Sequence, residues 1–134
     1  MQGARGEGSL EIEGRRYALL FTNRALAEGE KATGKSTLLL LRSLETMELG
    51  IGDLAQLLYV GMEYGRREAR AGGRSYTIND AFRILDALGF AQVASAVVQA
   101  VVAVLSYGQG EAEDGERPAE DPLPEGEILT GASS

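Results

Sequence analysis

The sequence contains neither cysteine nor histidine, and these two absences remove several kinds of chemistry at once. Without cysteine there are no disulfides, thiolate metal sites or thiol nucleophiles. Without histidine the chain lacks the commonest general base and the commonest ligand for transition metals. The composition therefore excludes the histidine-dependent hydrolytic triad and histidine-based zinc sites. We expect a protein with no catalytic role, no metal and no cofactor.

A long, uninterrupted apolar run is also missing. Residues 1–9 are polar and rich in glycine, which does not fit a signal peptide. The longest apolar stretch, residues 90–105, is interrupted by Gln92, Ser95 and Gln99, and it is shorter than the ~20 residues that cross a bilayer. We therefore expect a soluble, cytoplasmic protein with no membrane partner.

Negative charge is concentrated at the C-terminal end of the chain, which has a net charge of −7. Residues 1–108 carry twelve acidic and twelve basic side chains, whereas residues 109–134 carry eight acidic side chains and one arginine. Because nucleic-acid binding depends on clustered positive charge, a neutral body with an acidic tail argues against a nucleic-acid partner.

The length of 134 residues predicts one domain with one core. We expect a flexible N-terminus over residues 1–8 and a helical domain with an N-terminal hairpin over residues 9–107. Residues 108–134 are dominated by Gly, Glu, Asp, Pro and Ser and have no apolar periodicity. They are predicted to form a disordered acidic tail.

Alternating apolar and polar residues predict a β-hairpin at the start of the domain. Leu10 and Ile12 alternate with glutamates, and Tyr17, Leu19 and Phe21 resume the alternation after a Glu-Gly turn. A lone hairpin is only marginally stable, so this one should pack against helices. The predicted fold is mainly α, a small bundle of about five helices with an N-terminal β-hairpin.

Cap residues and periodic apolar positions predict the five helices. Thr22 caps the first helix and Gly34 ends it, whereas Thr77 and Asp80 form the capping box of the fourth, which Gly89 ends. The predicted helices run from Asn23 to Ala32, from Ser36 or Thr37 to Leu44, from Asp53 (with Gln56 as capping-box partner) to about Tyr64, from Ile78 to Leu88, and from Phe90 to Ser106.

The segment Gly65–Arg74 is basic and rich in glycine, and it predicts a loop. Its side chains Arg66, Arg67, Arg70 and Arg74 suggest a site for phosphate or for an acidic partner. Acidic residues elsewhere in the body balance their charge, and charge runs are usually solvated. A solvated loop is therefore the interpretation that we favour.

One motif raises the alternative of nucleotide binding. Residues Gly29–Ser36 match the P-loop consensus at every fixed position. A P-loop needs a buried strand that runs straight into its first glycine, whereas the segment Arg24–Glu28 favours a helix. We interpret Gly34 as the end of one helix, and Ser36 or Thr37 as the cap of the next. A P-loop-like nucleotide-binding protein is the alternative.

The valine-rich last helix is the candidate partner-binding element. Apolar residues cover more than half of its circumference. One interpretation is the core helix of the bundle; the other is an apolar surface that binds a partner helix or a second copy. The candidate partner-binding residues are Val93, Val97, Val98, Val101, Val102 and Leu105.

Several short phrases within residues 9–107 form a recognisable pattern. They are a strand at Leu10–Glu13, a turn at Gly14, a strand at Tyr17–Thr22, and the segments Arg24–Ser36, Gly52–Met62 and Asp86–Val93. This pattern resembles the small tail assembly chaperones of siphophages and gene transfer agents.

The resemblance implies a function. Such chaperones coat the long tape-measure protein before the tail tube polymerises around it, and they usually leave before the virion is complete. By this resemblance, the protein binds and solubilises a tape-measure protein in the host cytoplasm and is absent from the mature virion. A structural tail or connector component of the virion is a further alternative.

Overall fold

The computed structural model describes residues 6–69 and 74–114, and within them side chains as far as Ser106. These residues form five helices and one two-stranded antiparallel sheet, which confirms the predicted fold class. The elements in chain order are β1 (Glu7–Ile12), β2 (Arg15–Leu20), α1 (Asn23–Thr33), α2 (Thr37–Glu45), α3 (Ile51–Ala69), α4 (Ile78–Leu88) and α5 (Phe90–Asp114).

The hairpin forms as predicted, with Leu10 opposite Tyr17 in its register. Its two-residue turn places Glu13 at φ 50° and Gly14 at φ 82°, and turns with two positive φ angles match the twist of a hairpin. The predicted flexible N-terminus is wrong for residues 7 and 8, which belong to β1. Residues 1–5 lie outside the described part of the chain.

Local capping sets the boundary between α1 and α2, as the sequence predicts. Thr22 Oγ1 accepts a hydrogen bond from the backbone N–H of Ala25 at 3.0 Å, and Gly34 ends α1 in the left-handed conformation. At the start of α2, Ser36 Oγ accepts from the N–H of Leu39 at 3.2 Å. Both helices therefore begin where a side-chain oxygen satisfies an otherwise free N–H group.

Helix α3 differs from the prediction at both ends. It begins at Ile51 rather than at Asp53, and it continues to Ala69. The predicted Gly65–Arg74 loop is therefore wrong for residues 65–69. Residues 70–73, which include Arg70, are outside the described residues.

Glycines in α3 serve close packing, although one of them suggested a loop. A Cβ atom at Gly65 would lie 2.3 Å from the backbone oxygen of Ala18 in β2, and one at Gly61 would lie 2.7 Å from the ring of Phe21. Only a residue without a side chain permits such an approach. The hairpin thus lies directly on α3, and this position makes Phe21 fully buried.

Helices α4 and α5 meet at Gly89, which has φ 90°. The capping box of α4 is confirmed, because Thr77 and Asp80 exchange side-chain-to-backbone hydrogen bonds. Helix α5 continues to Asp114, eight residues beyond its predicted end at Ser106, so residues 108–114 are helical and not part of a disordered tail. The rest of the predicted tail, residues 115–134, lies outside the described residues.

The core lies between the hairpin, α3 and α5. Its fully buried side chains include Leu54, Leu58 and Met62 of α3 and Val97 of α5. Among the described residues, no single helix is long and apolar enough to cross a membrane. Helices α4 and α5 reach that length and composition only together, as a pair bent by 117°.

Candidate functional site

The P-loop-like segment does not form a phosphate-binding loop in this structure. Gly29 lies inside α1, which continues through the motif to Thr33, and Gly34 ends the helix. The backbone N–H groups from residue 29 to residue 33 therefore belong to a helix and cannot cradle a phosphate. Strand β2 ends at Leu20, and α1 separates it from the motif. This geometry agrees with the capping interpretation.

The polar side chains of the same segment hold three helices together. Lys35 Nζ donates to Asp53 Oδ2 at 2.7 Å, which ties the α1–α2 turn to α3. Glu30 Oε2 accepts from both the backbone N–H and the hydroxyl of Thr37, each at 2.8 Å. The backbone hydrogen bond first, and the hydroxyl second, lower the pKa of Glu30 below its ordinary value. Asp53 therefore links α3 to the α1–α2 turn. Because α3 already begins at Ile51, Asp53 does not cap this helix, and Gln56 is not its capping-box partner.

The predicted partner surface of α5 divides into two halves. Val93, Val97 and Val101 are at most 3% exposed and belong to the core, so the core interpretation applies to them. They are not available on the surface, because the other elements cover the side of α5 on which they lie, and Val101 packs beside Leu40 and Leu44 of α2. Their assignment to a partner surface is therefore corrected.

The other three predicted residues lie on the outer flank of α5. Val98 is half-buried, whereas Val102 and Leu105 are 37% and 38% exposed. Spaced at i, i+4 and i+7, these residues share one side of the helix. This flank faces α2, and it is the part of the predicted site that remains accessible.

Helix α2 runs antiparallel to α5 and supplies the other half of an apolar surface. Leu41 lines a narrow interhelical gap together with Val101, whereas Met47, just after the end of α2, lines a hollow of about 340 Å³ together with Ala91 and Val98. We call this surface the α2–α5 groove. It comprises Leu38, Leu41, Met47, Ala91, Val98, Val102 and Leu105.

Sequence reasoning missed the contribution of α2 to this groove. Leu38 is 67% exposed, and it lies one helical turn before Leu41, which lines the interhelical gap with Val101. The signal was present, because four consecutive leucines, 38–41, cannot all point into the core from one helix. In the structure Leu40 is buried and Leu38 is not.

A second surface lies at the tip of the hairpin. A cleft of about 440 Å³ is lined by Arg15, Arg66, Arg74, Arg83, Tyr17 and Tyr76, among others. We call it the arginine cleft. Its arginines come from the hairpin, from α3, from the residues before α4 and from α4 itself, so sequence spacing gives no sign that they converge. Among the described arginines of this cleft, Arg66 and Arg74 belong to the cluster that the sequence singled out.

Two carboxylates hold the walls of the arginine cleft in place. Glu63, on α3, accepts two hydrogen bonds from Arg66 and one of 2.6 Å from the backbone N–H of Tyr76. Burial pushes the pKa of Glu63 upward, but these hydrogen bonds outweigh burial, and its pKa lies below the ordinary value. Because Glu63 links α3 to the residues before α4, it is a structural anchor of the cleft.

Asp80 is the second anchor. Its carboxylate receives two hydrogen bonds from Arg74, at 3.1 and 3.3 Å, and also pairs with Arg83. Arg74 first, and then the backbone N–H of Thr77, lower the pKa of Asp80 to about 2 against the opposing effect of burial. The same carboxylate thus caps α4 and positions two arginines at the rim of the cleft.

The chain matches no protein-family model, no curated protein and no solved structure. Among the described residues, no group of three or more acidic side chains has the geometry to hold a metal ion. The two surfaces, one apolar and one cationic, are therefore the features from which a function can be inferred.

Proposed function

We propose that the protein is a tail assembly chaperone that binds and solubilises the tape-measure protein during phage tail morphogenesis. The α2–α5 groove binds apolar helical segments of that partner. The observation that carries the proposal is the exposure of large apolar side chains along two adjacent antiparallel helices, Leu38 at 67% and Leu105 at 38%.

The groove has the form that helix recognition requires. An amphipathic helix binds by laying its apolar side chains, spaced at i, i+3, i+4 and i+7, into an apolar groove. Leucine, valine and methionine side chains line this one, and methionine adapts to partners of varied shape. A long partner contains many such helical stretches, so several copies of the chaperone can bind along it, each through a weak contact.

The resemblance of residues 9–107 to tail assembly chaperones points to the same partner. A small protein seldom leaves a large apolar patch uncovered, and a partner that is itself helical and prone to aggregation is a suitable occupant. We propose that binding takes place in the host cytoplasm and that the chaperone is absent from the mature virion. Self-association through the same groove would keep it covered until the partner is made.

Co-expression with the large helical tape-measure protein tests the proposal. We expect the partner to be soluble only when both proteins are made, and the two to co-purify. Leu38→Asp and Leu105→Asp together should reduce the recovered complex by about tenfold or more, since two charges placed in an apolar interface cost at least about 1.4 kcal/mol. Sedimentation of the free protein reports self-association, which the same pair of substitutions should abolish.

The matched control is Phe82→Asp, because Phe82 is 38% exposed, like Leu105, but lies on α4. This variant should retain the complex. A complex that tolerates the groove substitutions but is lost with Phe82→Asp would place the interface elsewhere. Failure of the wild-type protein to bind or solubilise the partner would reject the chaperone function, and its recovery in stoichiometric amounts from purified virions would favour a structural tail or connector component.

A further inference from the structure

The arginine cleft carries an excess of positive charge. Four arginines line it, whereas two carboxylates, those of Glu63 and Asp80, are within ion-pair distance of them. Counted over these six groups, the local charge is four positive minus two negative, or +2. The body of the chain as a whole is neutral, so this excess is a local feature of the cleft.

Three of the four arginines can still bind a further carboxylate. The guanidinium of Arg15 lies 4.8 Å from the centre of the Tyr17 ring and has no carboxylate partner among the described residues. Arg74 and Arg83 share the single carboxylate of Asp80, and their side chains are 68% and 67% exposed. Guanidinium groups in this condition bind further carboxylates, preferably in pairs of parallel hydrogen bonds.

The chain contains a segment of opposite charge. Residues 115–134 carry five acidic side chains and one arginine, a net charge of −4. The apolar residue Leu123 lies between Asp121 and Glu125, and Ile128 follows Glu127. Such a segment complements a cleft with cationic rims and with tyrosine rings, Tyr17 and Tyr76, in its wall.

The segment is long enough to reach the cleft from the end of α5. Strand β1 packs antiparallel to α5, since Gly6 lies beside Val104 and Gly8 beside Ala100. The hairpin tip and the cleft therefore lie toward the N-terminal end of α5. At about 1.5 Å per residue, the 25 residues of α5 span about 36 Å. Fully extended, residues 115–124 span at most about 36 Å, so they can just return along α5, and residues 125–134, which carry Glu125 and Glu127, can bind.

We propose that residues 115–134 bind back to the arginine cleft of the same chain, with the carboxylates of Glu125 and Glu127 paired to the rim arginines Arg15 and Arg83, and Arg74 beside them. The proposal does not depend on the function of the α2–α5 groove. It assigns an intramolecular acidic ligand to the cleft, and it predicts that the C-terminal segment folds back over the hairpin tip at low ionic strength.

Paramagnetic relaxation in the full-length chain tests this proposal. Because the sequence has no cysteine, Gly126→Cys provides a single position for a nitroxide label. At 10 mM salt, where the Debye length is about 30 Å, the amide signals of Tyr17 and Arg83 should lose about half of their intensity or more. The signals should recover at 0.5 M salt, and also when Arg15→Gln and Arg83→Gln are combined.

The charge-matched control combines Arg24→Gln with Arg42→Gln, two exposed arginines of α1 and α2. It removes the same charge and should leave the broadening unchanged. Broadening that is absent from the cleft, or equally reduced by both pairs, overturns the proposal. Mixing nitroxide-labelled chains with isotope-labelled, nitroxide-free chains distinguishes binding within one chain from binding between two chains. Broadening in this mixture would show that the tail of a second copy occupies the cleft, and it would also reject the intramolecular assignment.

Discussion

The α2–α5 groove and the arginine cleft are both open surfaces, but they are built in different ways. The groove is lined mainly by apolar side chains, with Glu45, Ser95 and Gln99 beside its hollow, and its rim residues, such as Leu38, are largely exposed. The cleft is lined by side chains that also connect secondary structure elements, as Glu63 and Asp80 do. We therefore expect substitutions at the rim of the groove to leave the free energy of unfolding almost unchanged. Substitutions at the anchors of the cleft should lower it.

The core side of α5 should show the largest effect on stability. Val97 is fully buried in the core, so Val97→Asp places a carboxylate there and should lower the free energy of unfolding by more than about 4 kcal/mol. Urea denaturation followed by circular dichroism measures this. A variant of wild-type stability would mean that α5 does not pack with this side inward.

Glu63, the buried anchor of the cleft, should show the second largest effect on stability. Glu63→Ala removes the acceptor for Arg66 and for the N–H of Tyr76, and it should cost about 3 kcal/mol, as the loss of one partner from a buried ion pair does. Glu68→Ala, an exposed position on the same helix, is the control and should cost less than about 0.5 kcal/mol. Equal effects of the two substitutions would show that Glu63 does not connect α3 to the residues before α4.

Asp80 should give a smaller effect, and one that depends on pH. Asp80→Asn weakens the capping box and two arginine contacts, and should cost about 1–2 kcal/mol at neutral pH. The pKa of Asp80 in the folded protein, about 2, lies below the ordinary value of 3.8. Ionised Asp80 therefore contributes its full stability at a pH above 3.8 and loses this contribution as the pH falls toward 2.

The difference in stability between the wild type and Asp80→Asn should thus be constant above about pH 5 and shrink as the pH falls from about 4 toward 2. Asp86→Asn, at an exposed position on the same helix, serves as the control in the same titration by denaturation. A difference that grows as the pH falls would contradict the assigned interactions.

The rim of the groove should show the smallest change in stability. Leu38→Asp alters a side chain that is 67% exposed, and it should change the free energy of unfolding by less than about 0.5 kcal/mol. Thermal and urea denaturation measure this directly. A loss as large as that for Glu63→Ala would mean that Leu38 is part of the core and that the groove is closed on this side.

Much of the secondary structure could be predicted because its signals are local. The two-residue turn at Glu13 and Gly14, the cap at Thr22 and the capping box at Thr77 each involve residues a few positions apart. The end of α3 could not be predicted in this way. Gly65 resembles a loop residue in sequence, but it lies inside α3, where its lack of a side chain lets the backbone of Ala18 approach.

The candidate sites show the same division. The periodicity of α5 indicated an apolar helix, but it did not show which valines the core would bury. The leucine run of α2 was visible in the sequence, whereas its position beside α5 was not. The arginine cleft was least predictable, because Arg15 and Arg83 are far apart in sequence and meet only through the packing of the hairpin against α4.

By itself, the sequence determined the absence of thiol and imidazole chemistry, the mainly helical class with its hairpin, and the concentration of negative charge after residue 108. These properties depend on composition and on contacts between near neighbours in the chain. Tertiary structure alone decided which side of α5 is exposed, how far α3 extends and where the arginines gather. Those outcomes depend on burial and on side chains that approach each other across long separations, which no local pattern encodes.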